Sequence, residues 1–252
     1  MPAVLTTGAD DARFAAIRED LLQVSTATAC QLLDALGWRH CTMHGIRPLQ
    51  PLGPGVRIVG RARTCRYLVR REPPGRVDPA ARRTSPEVVL IESIEPGEVF
   101  CVDALGVPTA GIIGDILSAR LKARGAVAAV VYGAVRDSVV IPQVGLPVFA
   151  LAVHPGASGR ELVAVDSDRP VNLGGVHVVP GDVILADDEA VLAMPIELAE
   201  QVARDGRKKE LLEEWIRAKI AQGGSIHDYY PPTPEKAAEY ERETGRVFPV
   251  IA

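Results

Sequence analysis

The stretch from Gly111 to Asp137, GIIGDILSARLKARGAVAAVVYGAVRD, constrains the fold more than any other, because it reads as turn, helix and buried strand in that order. Val99 to Ala104, just before it, has the composition of a buried strand, and Gly111 and Gly114 punctuate the turn. Asp115 opens the helix, its apolar positions Ile116, Leu117 and Leu121 recur at helical spacing, and Gly125 stands where a helix stops. Ala126 to Tyr132 is a run of small apolar and β-branched residues, as in a strand covered on both faces. The helix spans about 15 Å at roughly 1.5 Å per residue. The strand returns about 20 Å at roughly 3.3 Å per residue, so Arg136 and Asp137 come back to the level of Gly114 and Asp115.

That juxtaposition has a chemistry. Unpaired backbone N–H groups at a helix start, together with the helix dipole, favour a carboxylate or phosphate. Arg136 can grip the same anion through two parallel hydrogen bonds, and Asp137 offers hard oxygen to Mg²⁺ or Mn²⁺. The competing readings are plainer: glycines as loop punctuation, Arg136 and Asp137 as a surface ion pair, Asp115 as a helix cap. A dinucleotide fingerprint has the same order of elements. Its first glycine position is held by Thr109, however, which breaks the GxGxxG pattern.

At these residues the chain resembles the RraA-like family, which includes class II 4-hydroxy-4-methyl-2-oxoglutarate aldolases, oxaloacetate decarboxylases and regulators of an RNA-degrading endonuclease. The resemblance rests on Gly114-Asp115-Ile116-Leu117, on Gly133-Ala134-Val135-Arg136-Asp137, and on the segment PGDVILADDEAVLAMP from Pro180 to Pro195. Ser25-Thr-Ala-Thr and Asp34-Ala-Leu-Gly37 add a fourth match near the start. It implies an α/β fold of the three-layer β/β/α swivelling type, with helices at 10–36 and a long C-terminal helix near 196–221. One such domain would take residues 1–222, and the tail 223–252 would pack on a neighbour.

The resemblance further implies a metal-dependent lyase that breaks a C–C bond of a pyruvate-like 2-oxo acid through an enolate, by retro-aldol cleavage, by oxaloacetate decarboxylation, or by both. Asp137 would hold the Mg²⁺ or Mn²⁺. Arg136 and the amides of Gly114, Asp115, Ile116 and Leu117 would bind the substrate carboxylate, with Arg136 and Asp115 as the catalytic residues. Asp115 would orient a water beside the metal, whose acidity the cation raises. No Schiff-base lysine is required, and Lys122 reads as solvated. Homotrimers or homohexamers with sites between subunits are also implied, with Glu210, Glu213 or Glu214 as candidates for an acid from the adjacent chain. The alternative within the same resemblance is a non-catalytic regulator that binds the endonuclease through an outer surface.

Composition agrees with a compact enzyme. The chain of 252 residues is 47% hydrophobic and only 4% aromatic, so its core must be built from Val, Ala, Leu and Ile. A formal charge of −4 gives no electrostatic reason to expect nucleic acid. No segment approaches eighteen uninterrupted apolar residues, and Cys30, Cys41, Cys65 and Cys101 show no CxxC spacing, so a cytoplasmic, non-membrane location is expected.

The remaining elements follow from pattern. Asp10 to Gln23 and Ser25 to Leu36 read as amphipathic helices, the second capped by Ser25 or Thr26 and stopped by Gly37. Gly55 to Leu68 alternates as a strand with Arg61, Arg63 and Arg66 on exposed edges. The basic, proline-rich stretch from Arg70 to Glu87 reads as a loop, or a lid carrying Arg71 or Arg76, and Val88 to Ile91 as the start of another strand. Leu146 to Ala152 and Val176 to Val179 are short strands, and Gly181 to Met194 is a hairpin with Asp187-Asp188-Glu189 at its turn. Asp182, Asp187 and Asp188 offer metal-binding oxygen, but Asp is also a favoured turn residue, and they read as structural. His40, Cys41 and His44 suggest zinc weakly, because a fourth ligand is missing. His154 is either a pocket residue or a hydrogen-bonded turn histidine. Trp215, on the long helix, must be buried against the chain's own sheet or a neighbour, and Tyr229-Tyr230-Pro231-Pro232 is expected to pack across a neighbour.

Overall fold

The computed structural model describes residues 8–71 and 79–249. Two helices, α1 (Gly8–Leu21) and α2 (Thr26–Ala35), lead through the short β1 (Arg47–Pro48) into the long β2 (Ile58–Val69). After α3 (Pro79–Arg83) and α4 (Pro86–Ser93) the chain alternates as β3 (Glu98–Asp103), α5 (Asp115–Arg124), β4 (Ala128–Val135), α6 (Ile141–Val144) and β5 (Val148–Val153). It continues through β6 (Leu162–Ser167), β7 (Val171–Leu173), β8 (Val176–Val178), β9 (Val183–Ala186) and β10 (Val191–Met194). Three helices follow, α7 (Ile196–Ala221), α8 (Ile226–Tyr229) and α9 (Pro234–Thr244).

The main sheet runs β1-β5-β4-β3-β2-β9-β10, with β6 also paired to β2. Strands β2, β3, β4 and β5 are mutually parallel, and the other pairings are antiparallel. Parallel neighbours need crossovers, which α5 and α6 supply. The sheet is nearly closed by one segment of chain. Residues 41–43 bond to β10, through Ala193 N–H to Cys41 O and Met43 N–H to Val191 O, and β1 then joins β5 at the opposite edge.

Three apolar clusters account for the layers. Inside the curved sheet Met43, Ile46, Val99, Cys101, Val130 and Phe149 pack with the β7–β8 hairpin. On one outer face α4 and α5 bury Leu90, Ile91 and Leu121 against Phe100, Val102 and Val131. On the other, α1, α2 and α7 cover β9 and β10 through Leu21, Leu33, Leu185, Leu192 and Val202. This is the expected α/β architecture with N-terminal helices and a long C-terminal helix. The full burial of β4 except at Tyr132 explains its run of Ala and Val. Among the described residues no helix is long and apolar enough to cross a membrane.

Local signals worked where they were specific. Ser25 Oγ accepts from Thr28 N–H at 3.1 Å and caps α2, and Gly37 follows it at φ +81°. The Gly181–Met194 hairpin forms, with Val191 opposite Ala186. Its turn acids are structural: Asp187 takes the amide and hydroxyl of Thr26 at 2.9 and 2.7 Å, and Asp188 takes the amides of Leu52 and Gly53. Burial works to raise the Asp187 carboxyl, yet the Thr26 bonds hold it below its ordinary value.

Four expectations are corrected. Val88 to Ile91 belongs to helix α4, because Ser85 caps it and Pro86 presets its first turn, which outweighs the β-branched composition. Arg70 to Glu87 is not all loop: Pro79–Arg83 is helical and the α4 turn starts at Pro86, while residues 72–78, including Arg76, lie outside the described residues. Arg61 sits on a central strand and is only 7% exposed, with its guanidinium bonded to the carbonyl of Asp10. Arg63 is likewise held between Glu98 and Asp168, at 3.0 and 2.8 Å. Tyr229 packs on the chain's own Trp215, ring centroids 5.5 Å apart, and this same tail covers Trp215.

Helix α4 carries one charge inward. Glu87 is 6% exposed beneath α4, facing the Tyr67 hydroxyl and Arg82. Burial pushes its carboxyl above the ordinary value, although Tyr67 and Arg82 act in the opposite direction. The folded chain therefore holds this proton to higher pH than the unfolded chain, and its stability falls as pH rises from the ordinary carboxylate range through the folded pKa. Glu87→Gln removes that dependence. Thermal melts should show the Tm advantage of Glu87→Gln over the parent growing from pH 4 to pH 8; a constant difference would contradict the assignment.

Candidate functional site

The parallel strands β3, β4 and β5 end on one side of the sheet, the position where open α/β sheets bind ligands. Glycines stand at Gly111, Gly114 and Gly133, where an added Cβ would crowd the neighbouring chain. The β4–β5 register shifts between Val131 and Ala134, and at Gly133 an added Cβ would lie 2.7 Å from the Cβ of Ala104. Such a bulge bends a strand and re-aims the residues after it. Beyond it, Gly111 bridges both Ala134 and Ala157, Ile112 donates to Ala134 O at 2.8 Å, and Arg136 donates to Ile113 O at 3.0 Å. The turn before α5 is thereby stitched along the end of β4.

This stitching brings Gly114 and Asp115 beside Arg136 and Asp137. A Cβ at Gly114 would stand 2.3 Å from Asp137 Oδ2 and 3.1 Å from Arg136 Cγ, so the bare glycine is what leaves room for both side chains. Asp137 is held at φ +53°, a left-handed conformation that Asp tolerates better than most residues, and its carbonyl starts α6 by accepting from Val140 and Ile141. Arg136 Nε donates to Asp137 Oδ2 at 3.0 Å, with the two side chains 41% and 32% exposed.

The helix start is less open than its sequence suggests. Gly114 is the N-cap of α5 with no side-chain bond, and Asp115 Oδ1 accepts the N–H of Ile116 at 2.8 Å, so that amide already has a partner. Ser118 Oγ closes on the Gly114 carbonyl at 2.7 Å and fixes the first turn from beneath. Ile116, read as part of the apolar face, is 77% exposed, whereas Leu117 and Leu121 pack inward. Its side chain stands on the outer face of α5, next to Asp115, with Val139 and Val140 exposed just past Asp137. Gly125 closes α5 at φ +95°, as expected.

Two residues join the site that the pattern left open or missed. His154 follows β5, its Nδ1 accepts from Gly156 N–H at 3.0 Å, and its carbonyl lies 2.9 Å from where a Gly111 Cβ would be. It is a turn histidine, and it also borders the Gly111 seam. The sequence pattern does not single out Arg160. Its Nη1 is 2.9 Å from a Cβ built on Gly156, whose ring neighbour is His154, and no acidic partner binds it among the described residues. The signal available in the sequence was the Gly156 turn, which only its contact with Gly111 makes meaningful.

The candidate acids on α7 differ in availability. Glu210 Oε1 accepts the Ser25 amide at 2.8 Å; burial would raise its carboxyl, but the Ser25 bonds keep it below its ordinary value. Glu213 pairs with Lys209 at 2.9 Å. Glu214 is exposed and has no ion pair among the described residues. His40 and His44 are exposed and Cys41 is fully buried, and among the described residues no three His, Cys, Asp or Glu side chains converge as a metal-ligand group. Lys122 is exposed on α5, as expected.

The chain is similar to several known proteins. DlpA of Legionella pneumophila is 27% identical over 230 residues, which cover 90% of this chain but only 36% of that protein. A Halalkalibacterium halodurans protein named "Putative 4-hydroxy-4-methyl-2-oxoglutarate aldolase" is 28% identical over 166 residues, 66% of this chain and 73% of its own length. A crystal structure of Streptomyces coelicolor RraAS2, described as an unusual member of the RNase ES inhibitor RraA protein family, superposes with a TM-score of 0.72. It is 29% identical, over 86% of this chain and 99% of that one. The sequence model of the RraA-like family, described as Aldolase/RraA, matches residues 26–193, the span that contains the whole Gly111–Asp137 unit, and the chain belongs to that family.

Proposed function

We propose that the chain is a divalent-metal-dependent lyase that breaks a C–C bond of a pyruvate-like 2-oxo acid. The observation that carries this reading is the Gly114 cradle: a helix start with no Cβ, set against the Asp137 carboxylate and the Arg136 guanidinium. A hard carboxylate oxygen in a space that any side chain at 114 would fill suits Mg²⁺ or Mn²⁺, so Asp137 is the residue that would hold it. When bound, the cation supplies the Lewis acidity that stabilises the enolate left by retro-aldol cleavage or decarboxylation.

The chain's own residues do the rest. Arg136 has both Nη groups beyond its bond to Asp137 and binds the substrate carboxylate as a planar fork. The free amides at the start of α5 add to that field. Asp115 orients a water and takes up the proton from the hydroxyl that becomes a carbonyl in retro-aldol cleavage. Arg160 and His154, across the Gly111 seam, face the distal end of the substrate. Exposed Ile116, Val139 and Val140 around an open site suit coverage by a neighbouring subunit in a trimer or hexamer, and Glu214 is the acid on α7 free to reach across.

A second reading follows from the Streptomyces relative's description: a regulator that binds an RNA-degrading endonuclease. That role would use an outer surface and survive Arg136→Ala, and a pull-down with the endonuclease separates the two.

The proposal is tested by incubating the protein with Mg²⁺ or Mn²⁺ and either oxaloacetate or a 4-hydroxy-2-oxo acid, and following pyruvate. Metal-dependent pyruvate should appear and fall roughly 10²-fold or more in Asp137→Ala, the scale of losing a group that stabilises developing charge. Gly114→Ala should lose comparable activity while melting normally, because its methyl displaces the Asp137 carboxylate. Full activity in Asp137→Ala, or no product from any 2-oxo acid, contradicts the proposal. Arg160→Ala should raise KM for substrates with a second carboxylate by about tenfold with little change in kcat; an unchanged KM removes Arg160 from the substrate site.

A further inference from the structure

A cavity of about 810 Å³ that shares no lining residue with this site lies between α1, α7 and the chain segment after α9. That volume is within the range of roughly 300–1,000 Å³ typical of small-molecule sites. Its walls are apolar: Ile17, Ala203, Leu211, Tyr240, Val247 and Phe248. The outer wall is anchored rather than draped. Phe248 meets Tyr240 edge to face at 6.0 Å, and its N–H donates to Glu241 Oε1 at 2.8 Å, which fixes the chain across α7.

Charge decides what the cavity suits. Four cations line it, Arg204, Arg207, Lys208 and Arg246. Arg207 is balanced by Asp20 at 3.4 Å, and Glu200, on the same wall, shares Arg13 with Asp10 and Glu197, at 2.8, 3.3 and 3.1 Å. Arg204 and Lys208 share the single carboxylate of Asp205, at 3.0 and 3.3 Å. Arg246 has no acidic partner among the described residues. Four cations thus face two acids, Asp20 and Glu200, around the cavity, and its positive side lies at Arg204, Lys208 and Arg246.

We infer that this cavity binds an amphipathic carboxylate, a molecule with one anionic head and a medium-length apolar body. The head sits at Arg246, with Arg204 and Lys208 beside it, and the body lies along Ile17, Leu211, Tyr240 and Phe248. An anion there satisfies the charge that Asp205 leaves uncompensated, and the apolar body removes the exposed Val247 and the half-buried Phe248 from water. A neutral alcohol of the same length lacks the first gain, and a cationic amphiphile meets repulsion.

The test is calorimetric titration of the full chain with decanoate, decanol and decyltrimethylammonium, each below its micellar concentration. Decanoate should bind saturably at one site per chain, decanol should bind more weakly, and the cation should not bind. Arg246→Glu, at an exposed position, should weaken decanoate about tenfold or more, the loss of one charged hydrogen bond. Phe248→Ala should weaken decanoate and decanol alike. No saturable decanoate binding, equal affinity for decanoate and decanol, or unchanged affinity in Arg246→Glu overturns the inference. So does a fall in oligomer mass with Phe248→Ala in a chain that ignores decanoate, which would show the groove to be covered by a second copy. None of these readouts depends on the lyase reaction.

Discussion

The contact between Gly114 and Asp137 is the constraint on which the rest of the structure depends. It requires that a helix start and a strand end meet with no side chain between them, and three other features serve that meeting. The bulge at Gly133 bends β4, the pairing of residues 111–113 with Ala134 and Arg136 holds the turn in place, and Asp137 adopts φ +53° to point its carboxylate back. Each is a local departure from regular geometry, and such departures persist only where surrounding packing over-determines them. Here the packing is the buried β4, covered by α4 and α5 on one face and by the enclosed cluster on the other.

The nearly closed sheet explains why that packing is rigid. Residues 41–48 tie β10 to β5, so the sheet keeps few free edges, and the hairpin turn of β9 and β10 is locked to α2 by the Asp187–Thr26 bonds. Helix α7 then carries two different jobs along its length. Its first turns cover β9 and β10, and its later ones carry Trp215 into an aromatic cluster with Tyr229 and Tyr240 that the tail supplies. The site itself stays open, with Ile116 and Val139 bare beside it.

The central unit was legible in the sequence because its signals are redundant. Glycines mark both ends of α5, β4 has the composition of a doubly covered strand, and segment lengths alone return Arg136 to the level of Gly114. Val88 to Ile91 is ambiguous because a β-branched run of that length cannot be told from a buried helix by periodicity, and the deciding cue is Ser85-Pro86 just before it. Arg61 looked like an edge residue because alternation locates faces but says nothing of a strand's place in the sheet. Arg160 is invisible for a different reason: it meets the Gly111 seam only through Gly156, whose carbonyl accepts the Gly111 N–H, a tertiary contact. Ile116 obeyed helical spacing, yet a one-position difference on a short helix turns a side chain from core to solvent.

The most direct test is a crystal of the protein grown with Mn²⁺ and pyruvate and measured for the anomalous signal of manganese. The expected result is a peak at the Asp137 carboxylate, with the pyruvate carboxylate on Arg136 and the start of α5, and loss of that peak in Gly114→Ala. A manganese peak elsewhere, or pyruvate bound away from Arg136, would contradict the claim that the glycine cradle is the reacting site.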